Sequence, residues 1–273
     1  MAWHITGNVD EFLAAAGAFL RARPVQNTLL LTIADTVRIQ GPHVYGPGDP
    51  FFGWHDGEEA AVLCTPPRPP VLSAMSPDAA TALAGLLGDD LPGISGPDAA
   101  VEAFAAQWRR RTGATAKVRG RQRLYRLGEL VPPTPPAPGR PRVGAPRDLL
   151  VRWTEEFFRE VGEDDPEVER FVDERLSYGG ILVWETGGVP VSMASLTRPE
   201  SGMVRVQAVY TPQEHRARGY AGAVTTAISR AAREAGATEV VLFTDLANPT
   251  SNALYQRLGY VPLEDRSVVE FAS

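Results

Sequence analysis

The sequence predicts an α+β fold in two tandem halves, each a mixed, largely antiparallel sheet flanked by helices. Apolar residues recur at helical spacing in some segments and alternate in others, so both kinds of element are expected. The second half orders them as strand, two helices, three antiparallel strands, helix, strand, helix and closing strands. A proline-rich stretch, VPPTPPAPGRPRVGAPRD at 131 to 148, divides the chain nearly in half, and its dense prolines favour an extended, semi-rigid connection. The expected division is a first domain over 1–131, a linker over 132–139 and a second domain over 140–273. The segment GRPRV is able to begin the second domain's first strand.

In the second half, residues 147 to 161 put Leu149, Leu150, Trp153, Phe157, Phe158 and Val161 on one helical face. The next helix is expected over 166 to 177, with Pro166 in its first turn and Val168, Phe171, Val172 and Leu176 as its stripe. Strands at 180–185 and 189–197 flank Gly187 and Gly188 as a hairpin. A third strand, 202 to 211, alternates Val204, Val206, Ala208 and Tyr210 with Arg205, Gln207 and Val209. Ala221, Val224, Ile228, Ala231 and Ala235 trace a helix that Gly236 can close, and 238 to 245 is a short apolar run suited to a buried strand. A helix over 249–258 stops at Gly259, and closing strands are expected at 260–264 and 267–271. The first half is less legible, with paired strands at 51–56 and 60–67, helices at 77–88 and 97–111, and a strand at 117–127.

Bulk properties exclude several classes. Basic and acidic residues number 27 and 33, so no global field attracts nucleic acid or an anionic membrane. The longest early apolar stretch, FLAAAGAFL at 12 to 20, is too short to span a bilayer and follows two acids, so no membrane partner and a cytoplasmic location are expected. Cys64 stands alone among apolar neighbours, as an inert buried thiol does. His4, His43, His55 and His215 have no metal-ligand spacing, so no metal is expected.

The segment EHRARGYAGAV, 214 to 224, places glycine and alanine where a strand turns into a helix. Such a turn leaves backbone N–H groups unpaired at the positive end of the helix dipole, which suits a phosphate. Gly219 keeps the approach clear, Ala221 keeps the next position small, and Arg216 and Arg218 add charge. A helix that simply begins small and packs tightly fits the same spacing. Neither G-x-G-x-x-G nor G-K-[ST] is present.

VQAVYTPQEHRARGYAGAV resembles the acyl-CoA-binding motif of the GCN5-related N-acetyltransferases, [RQ]-x-x-G-x-[GA], filled here by Arg216, Gly219 and Ala221. Downstream, NPTSNALYQRLGY resembles that family's N-x-x-[AS]-x-x-L-Y-x-x-x-G-[FY] segment at Asn248, Ser251, Leu254, Tyr255, Gly259 and Tyr260. The resemblance covers about 140 to 271 and implies that family's sheet. The first half then reads as a degenerate copy without the phosphate turn.

The resemblance implies that acetyl-CoA is the acyl donor. The amides of Arg216, Ala217, Arg218, Gly219, Tyr220 and Ala221 would take its diphosphate. The backbone of Val209, Tyr210 and Thr211 would run beside its pantetheine arm, with an amide near Val209 facing the thioester carbonyl, and Asn248 and Ser251 would complete the cofactor side. Asn248 before Pro249 also suits a helix N-cap, and the two roles are compatible. Tyr255 would protonate the leaving thiolate, its ordinary pKa of about 10 lying above a thiol's ~8.5; as a core aromatic on an amphipathic helix it fits the pattern equally. His215 reads as a solvent-facing or cofactor-rim residue and not as a base. Glu185, Glu200 and Glu174 are candidate bases. The loop GEDDP, 162 to 166, brings Glu163, Asp164 and Asp165 toward a cationic amine or is a plain solvated turn.

The function expected is acetyl or short-acyl transfer to a primary amine of a small molecule or peptide. The alternative is a CoA-binding sensor without turnover. A basic run at 109 to 126, with Lys117, Arg119, Arg121 and Arg123 alternating, suggests a polyanion contact, but few aromatics interleave and a solvated strand face explains it as well.

Overall fold

The chain order of the elements repeats once. A computed structural model describes residues 2–162 and 167–272. Its first run is β1 (Trp3–Thr6), α1 (Val9–Ala22), α2 (Thr28–Gln40), β2 (Phe51–His55), β3 (Ala61–Cys64), β4 (Val71–Leu72), α3 (Pro77–Leu86), β5 (Gly93–Pro97), α4 (Asp98–Thr112) and β6 (Thr115–Leu127). Its second run is β7 (Arg140–Val143), α5 (Arg147–Val161), α6 (Val168–Ser177), β8 (Ile181–Thr186), β9 (Val189–Leu196), β10 (Met203–Tyr210), α7 (Tyr220–Glu234), β11 (Glu239–Asp245), α8 (Pro249–Arg257) and β12 (Tyr260–Ala272). The sequence reading anticipates the second run closely but leaves out α1, α2, β1, β4 and β5, and it splits β12 in two. Pro166, Glu163, Asp164 and Asp165 lie outside the described residues, and α6 begins at Val168.

The chain forms two compact units that are not consecutive halves. One comprises the residues up to Leu124, Asp245–Ala247 and the chain from Leu263 on; the other comprises Tyr125–Thr244 and Asn248–Pro262. This departs from a second domain over 140–273. Most of β12 joins the first unit because Arg266 to Glu270 pair antiparallel with Pro97 to Gly93, filling the edge of β5.

In the first unit the strands run β1-β2-β3-β4-β5-β12. Neighbours are antiparallel except β4 and β5, which meet in parallel at Val71↔Ser95. Asn8 Oδ1 accepts the amides of Asp10 and Glu11 to start α1, which buries Phe12, Ala16 and Leu20 one turn apart. Those side chains pack with Leu30, Leu31, Phe52 and Leu63. A second cluster gathers Leu83, Phe104, Trp108 and Val269.

In the second unit the order is β11-β10-β9-β8-β7. Again one pair is parallel, β10 with β11, and the pairs β10–β9, β9–β8 and β8–β7 are antiparallel. Leu150 and Trp153 of α5 and Val172 of α6 pack with Val183, Met193 and Tyr210. Val224 and Ile228 of α7 and Tyr255 of α8 pack with Leu182, Val206 and Leu242.

Candidate active site

β10 and β11 begin as neighbours and then part. Their pairing runs from Met203↔Glu239 to Val206↔Leu242 and stops, although β10 continues to Tyr210 and β11 to Asp245. On the β9 side, register shifts between Gln207 and Tyr210, and Ala208 within the shift has φ 45°. A bulge turns backbone groups out of the ladder, and a left-handed alanine persists only where its surroundings hold it. The result is an opening lined by the irregular backbone at Ala208 and Val209.

Past Tyr210 and Thr211 the chain makes a 3-10 turn at Gln213–His215 and enters α7 through Ala217 (φ 60°) and Gly219 (φ 81°, ψ 2°). The first helical hydrogen bond runs from Ala223 N–H to Gly219 C=O at 3.0 Å, and no side chain caps the helix. Among the described residues, the amides from Ala217 to Gly222 have no acceptor. Consecutive free donors at the positive end of a helix, with left-handed residues interspersed, form an anion cradle.

The two arginines of the turn differ. Arg216 Nε donates to Thr211 C=O at 2.8 Å, and its Nη2 bonds both carboxylate oxygens of Glu160 on α5, at 2.5 and 2.7 Å. Arg216 therefore ties the turn to α5. Arg218 is exposed and has no partner among the described residues, so it is the cation available to an incoming anion. His215 is half-buried on the same turn, and its Nδ1 has no partner among the described residues.

α8 lies against the start of α7. A Cβ added to Gly222 would stand 3.4 Å from Leu254 Cδ1 and 3.3 Å from Pro133 Cγ. Asn248 Oδ1 accepts the Ser251 amide at 3.0 Å, so the capping role is real, and its Nδ2 has no partner among the described residues. Tyr125 of β6, which the sequence reading does not single out, pins α8: its hydroxyl donates to Asn252 Oδ1 at 2.9 Å and accepts from Gln256 Nε2 at 3.1 Å.

Tyr255 is a core aromatic, edge-on to Tyr260 at 5.9 Å. Among the described residues its hydroxyl has no hydrogen-bond partner, and burial pushes its pKa up to about 12. Tyr210 is likewise pushed up to about 12, by burial and by its hydroxyl's 2.8 Å bond to Glu156. Glu156 and Glu160 were unmarked in the sequence, since acids on an exposed helix face carry no local signal.

The candidate bases separate. Glu185 sits buried on β8 between Arg140 and Arg142, each 3.5 Å away. Glu200 accepts from Ser201 Oγ beside a turn. Glu174 pairs with Arg175, whose Nη2 donates to Gln207 Oε1 on the bulged strand at 2.9 Å. Only Glu174 is connected through side chains to the opening. The basic run is largely matched by acids: Arg121 bonds Asp98, Arg123 clasps Asp265, Arg126 clasps Glu239, and Arg119 lies 3.8 Å from Glu270. Burial raises the Cys64 thiol to about 12, which makes it unreactive. No cluster of potential metal ligands occurs among the described residues, and none of their helices is long and apolar enough to cross a membrane.

Residues 147–260 match the family model described as Acetyltransferase (GNAT) family. That span lies almost wholly in the second unit. No curated protein matches the sequence. Among solved structures, a Drosophila protein is 12% identical with a TM-score of 0.69, covering 99% of this chain and 98% of its own. A GCN5-related N-acetyltransferase from Sphaerobacter thermophilus is 15% identical with a TM-score of 0.63, covering 99% and 95%. A tandem GNAT protein from the clavulanic acid biosynthesis pathway is 14% identical with a TM-score of 0.55, covering 99% and 98%. At these identities the likeness is one of fold, and it extends over both units.

The first unit repeats the element order of the GNAT domain but closes the corresponding helix start. Ser76 Oγ accepts the Ala79 amide at 3.1 Å to cap α3, and Glu58 Oε1 accepts from both Ser76 N–H and Ser76 Oγ at 3.1 Å. A carboxylate of the chain itself stands where an anion would approach.

Proposed function

We propose that the protein is an N-acyltransferase that moves an acetyl or other short acyl group from acetyl-CoA to a primary amine of a small molecule or peptide, by direct attack. The observation that carries this is the run of free amides from Ala217 to Gly222 at the uncapped start of α7, beside the parting of β10 and β11. Acetyl-CoA supplies an activated acyl thioester. In this reading the amides of 217–221 and the Arg218 guanidinium bind its diphosphate, and β10 past its last pair with β11, at Val209, Tyr210 and Thr211, takes the pantetheine arm as an added strand would be taken. An amide freed by the bulge at Ala208 faces the carbonyl and stabilises the oxyanion formed on attack. Asn248, with Oδ1 spent on its cap, offers Nδ2 to the arm, and Ser251 lines the same side.

Tyr255 donates a hydrogen bond to the leaving sulfur. With its pKa pushed up to about 12, complete proton transfer to a thiolate of pKa ~8.5 is uphill by ~3.5 units, or ~5 kcal/mol, so the phenol stabilises the thiolate without giving up its proton. Glu174, whose neighbour Arg175 donates to Gln207 Oε1 on the bulged strand, is the carboxylate we assign as the base that takes the proton the attacking amine must lose. The cytoplasm, where acetyl-CoA is made available, is the compartment this reading implies.

Two measurements test it together: the melting temperature with and without acetyl-CoA, and mass-spectrometric detection of acylated amines across amino acids, polyamines, aminoglycosides and peptide N-termini. No thermal shift at millimolar acetyl-CoA defeats the reading. Binding with no product on any amine leaves the sensor instead.

A further inference from the structure

The proline-rich stretch is anchored at both ends to the second unit. Gly128 N–H donates to Gly259 C=O and Val131 N–H to Leu258 C=O, each at 3.0 Å, which fixes its start at the end of α8. Trp184 Nε1 donates to Pro138 C=O at 2.9 Å, and Arg140 pairs with Glu185, which fixes its end on β8. Between these points it crosses the start of α7. Pro133 Cγ lies 3.3 Å from where a Cβ on Gly222 would stand, and Ala137 Cβ lies 3.6 Å from the same point on Gly219.

We infer that residues 133–137 form one wall of the diphosphate site, a fixed strap that sets the width of its entrance and touches the end of coenzyme A that carries the diphosphate. This rests on the reading of the turn as a CoA site. A ligand seated on the amides of Ala217 to Gly222 approaches through the space beside Gly219, and Ala137 bounds that space at ordinary contact distance. Ala137 is the smallest side chain between Pro132 and Pro138, and it is the strap residue that borders Gly219. Prolines at 132, 133, 135, 136 and 138 restrict the strap's backbone and supply no N–H, so apart from the amides of Thr134 and Ala137 it offers apolar contact and leaves anion binding to α7. Stiffness between two anchors makes it a preformed wall, which lowers the ordering cost of binding.

The test compares coenzyme A with pantetheine, which lacks the diphosphate, by calorimetry on the full chain and its Ala137→Glu and Ala137→Trp variants. Ala137→Glu sets a carboxylate against the diphosphate and is expected to weaken coenzyme A at least ~10-fold while leaving pantetheine within about twofold. In the unmodified protein, hydrogen exchange at the Ala137 amide is expected to slow when coenzyme A is added, a readout that needs no variant to fold. Equal coenzyme A affinity in both folded variants, unchanged exchange at Ala137, or an equal loss for pantetheine would each overturn the inference. Failure of the unmodified protein to bind coenzyme A would instead defeat the functional reading beneath it.

Discussion

Replacing Gly219 with alanine separates backbone strain from ligand binding. Gly219 has φ 81° and ψ 2°, a left-handed conformation that costs an L-residue about 1–2 kcal/mol. The new methyl would stand 3.6 Å from Ala137 Cβ, an ordinary contact, so strain is the whole of the folding cost. About 1 kcal/mol lowers the melting temperature of a unit this size by about 2–4 °C. Ligand at 100 times its dissociation constant adds ~2.7 kcal/mol of stability; if the methyl crowds the cradle enough to weaken binding tenfold, the same concentration adds only ~1.4 kcal/mol. Differential scanning fluorimetry with and without coenzyme A reads both quantities. A variant with an unchanged apo melting temperature and an unchanged ligand shift would refute both the strain and the cradle.

On the proposed role of its phenol at the leaving sulfur, Tyr255→Phe should lower kcat by about 10-fold or more while coenzyme A affinity stays the same; an unchanged kcat removes that role. Its pKa is raised from about 10 to about 12, as are those of Tyr210 and Tyr178, so the fold binds protons more tightly than the unfolded chain. The stability from these phenols is present below pH ~10 and lost as pH rises through ~12, and a denaturation series across pH 9 to 12 that shows no added loss would contradict their burial. One coenzyme A should bind per chain, since Ser76 and Glu58 already occupy the first unit's helix start; a calorimetric stoichiometry near two would refute this.

The turn at Arg216 to Ala221 was legible because its chemistry is local: glycine answers a left-handed φ and the neighbouring amides point outward whatever surrounds them. Asn248 with Pro249 was legible for the same reason, as a cap needs only its own helix. Helix α1 contains FLAAAGAFL, weighed from sequence only against a bilayer span, although Phe12, Ala16 and Leu20 recur four apart; what those residues face, Leu30 and Leu31 of α2 and Phe52, only the fold shows.

The sequence alone determined the order of elements in the second half, the glycine turn into α7 and the tyrosine helix, because short-range backbone geometry and one-face apolar spacing are written in consecutive residues. Tertiary structure alone decided that Arg216 serves Glu160 while Arg218 has no partner among the described residues, that Tyr125 holds α8, and that the prolines cross α7. It also decided that the last strand leaves its own half to pair with β5. Each of these joins residues far apart in the chain, and such partners are chosen by which surfaces the folded backbone brings within hydrogen-bond or van der Waals reach.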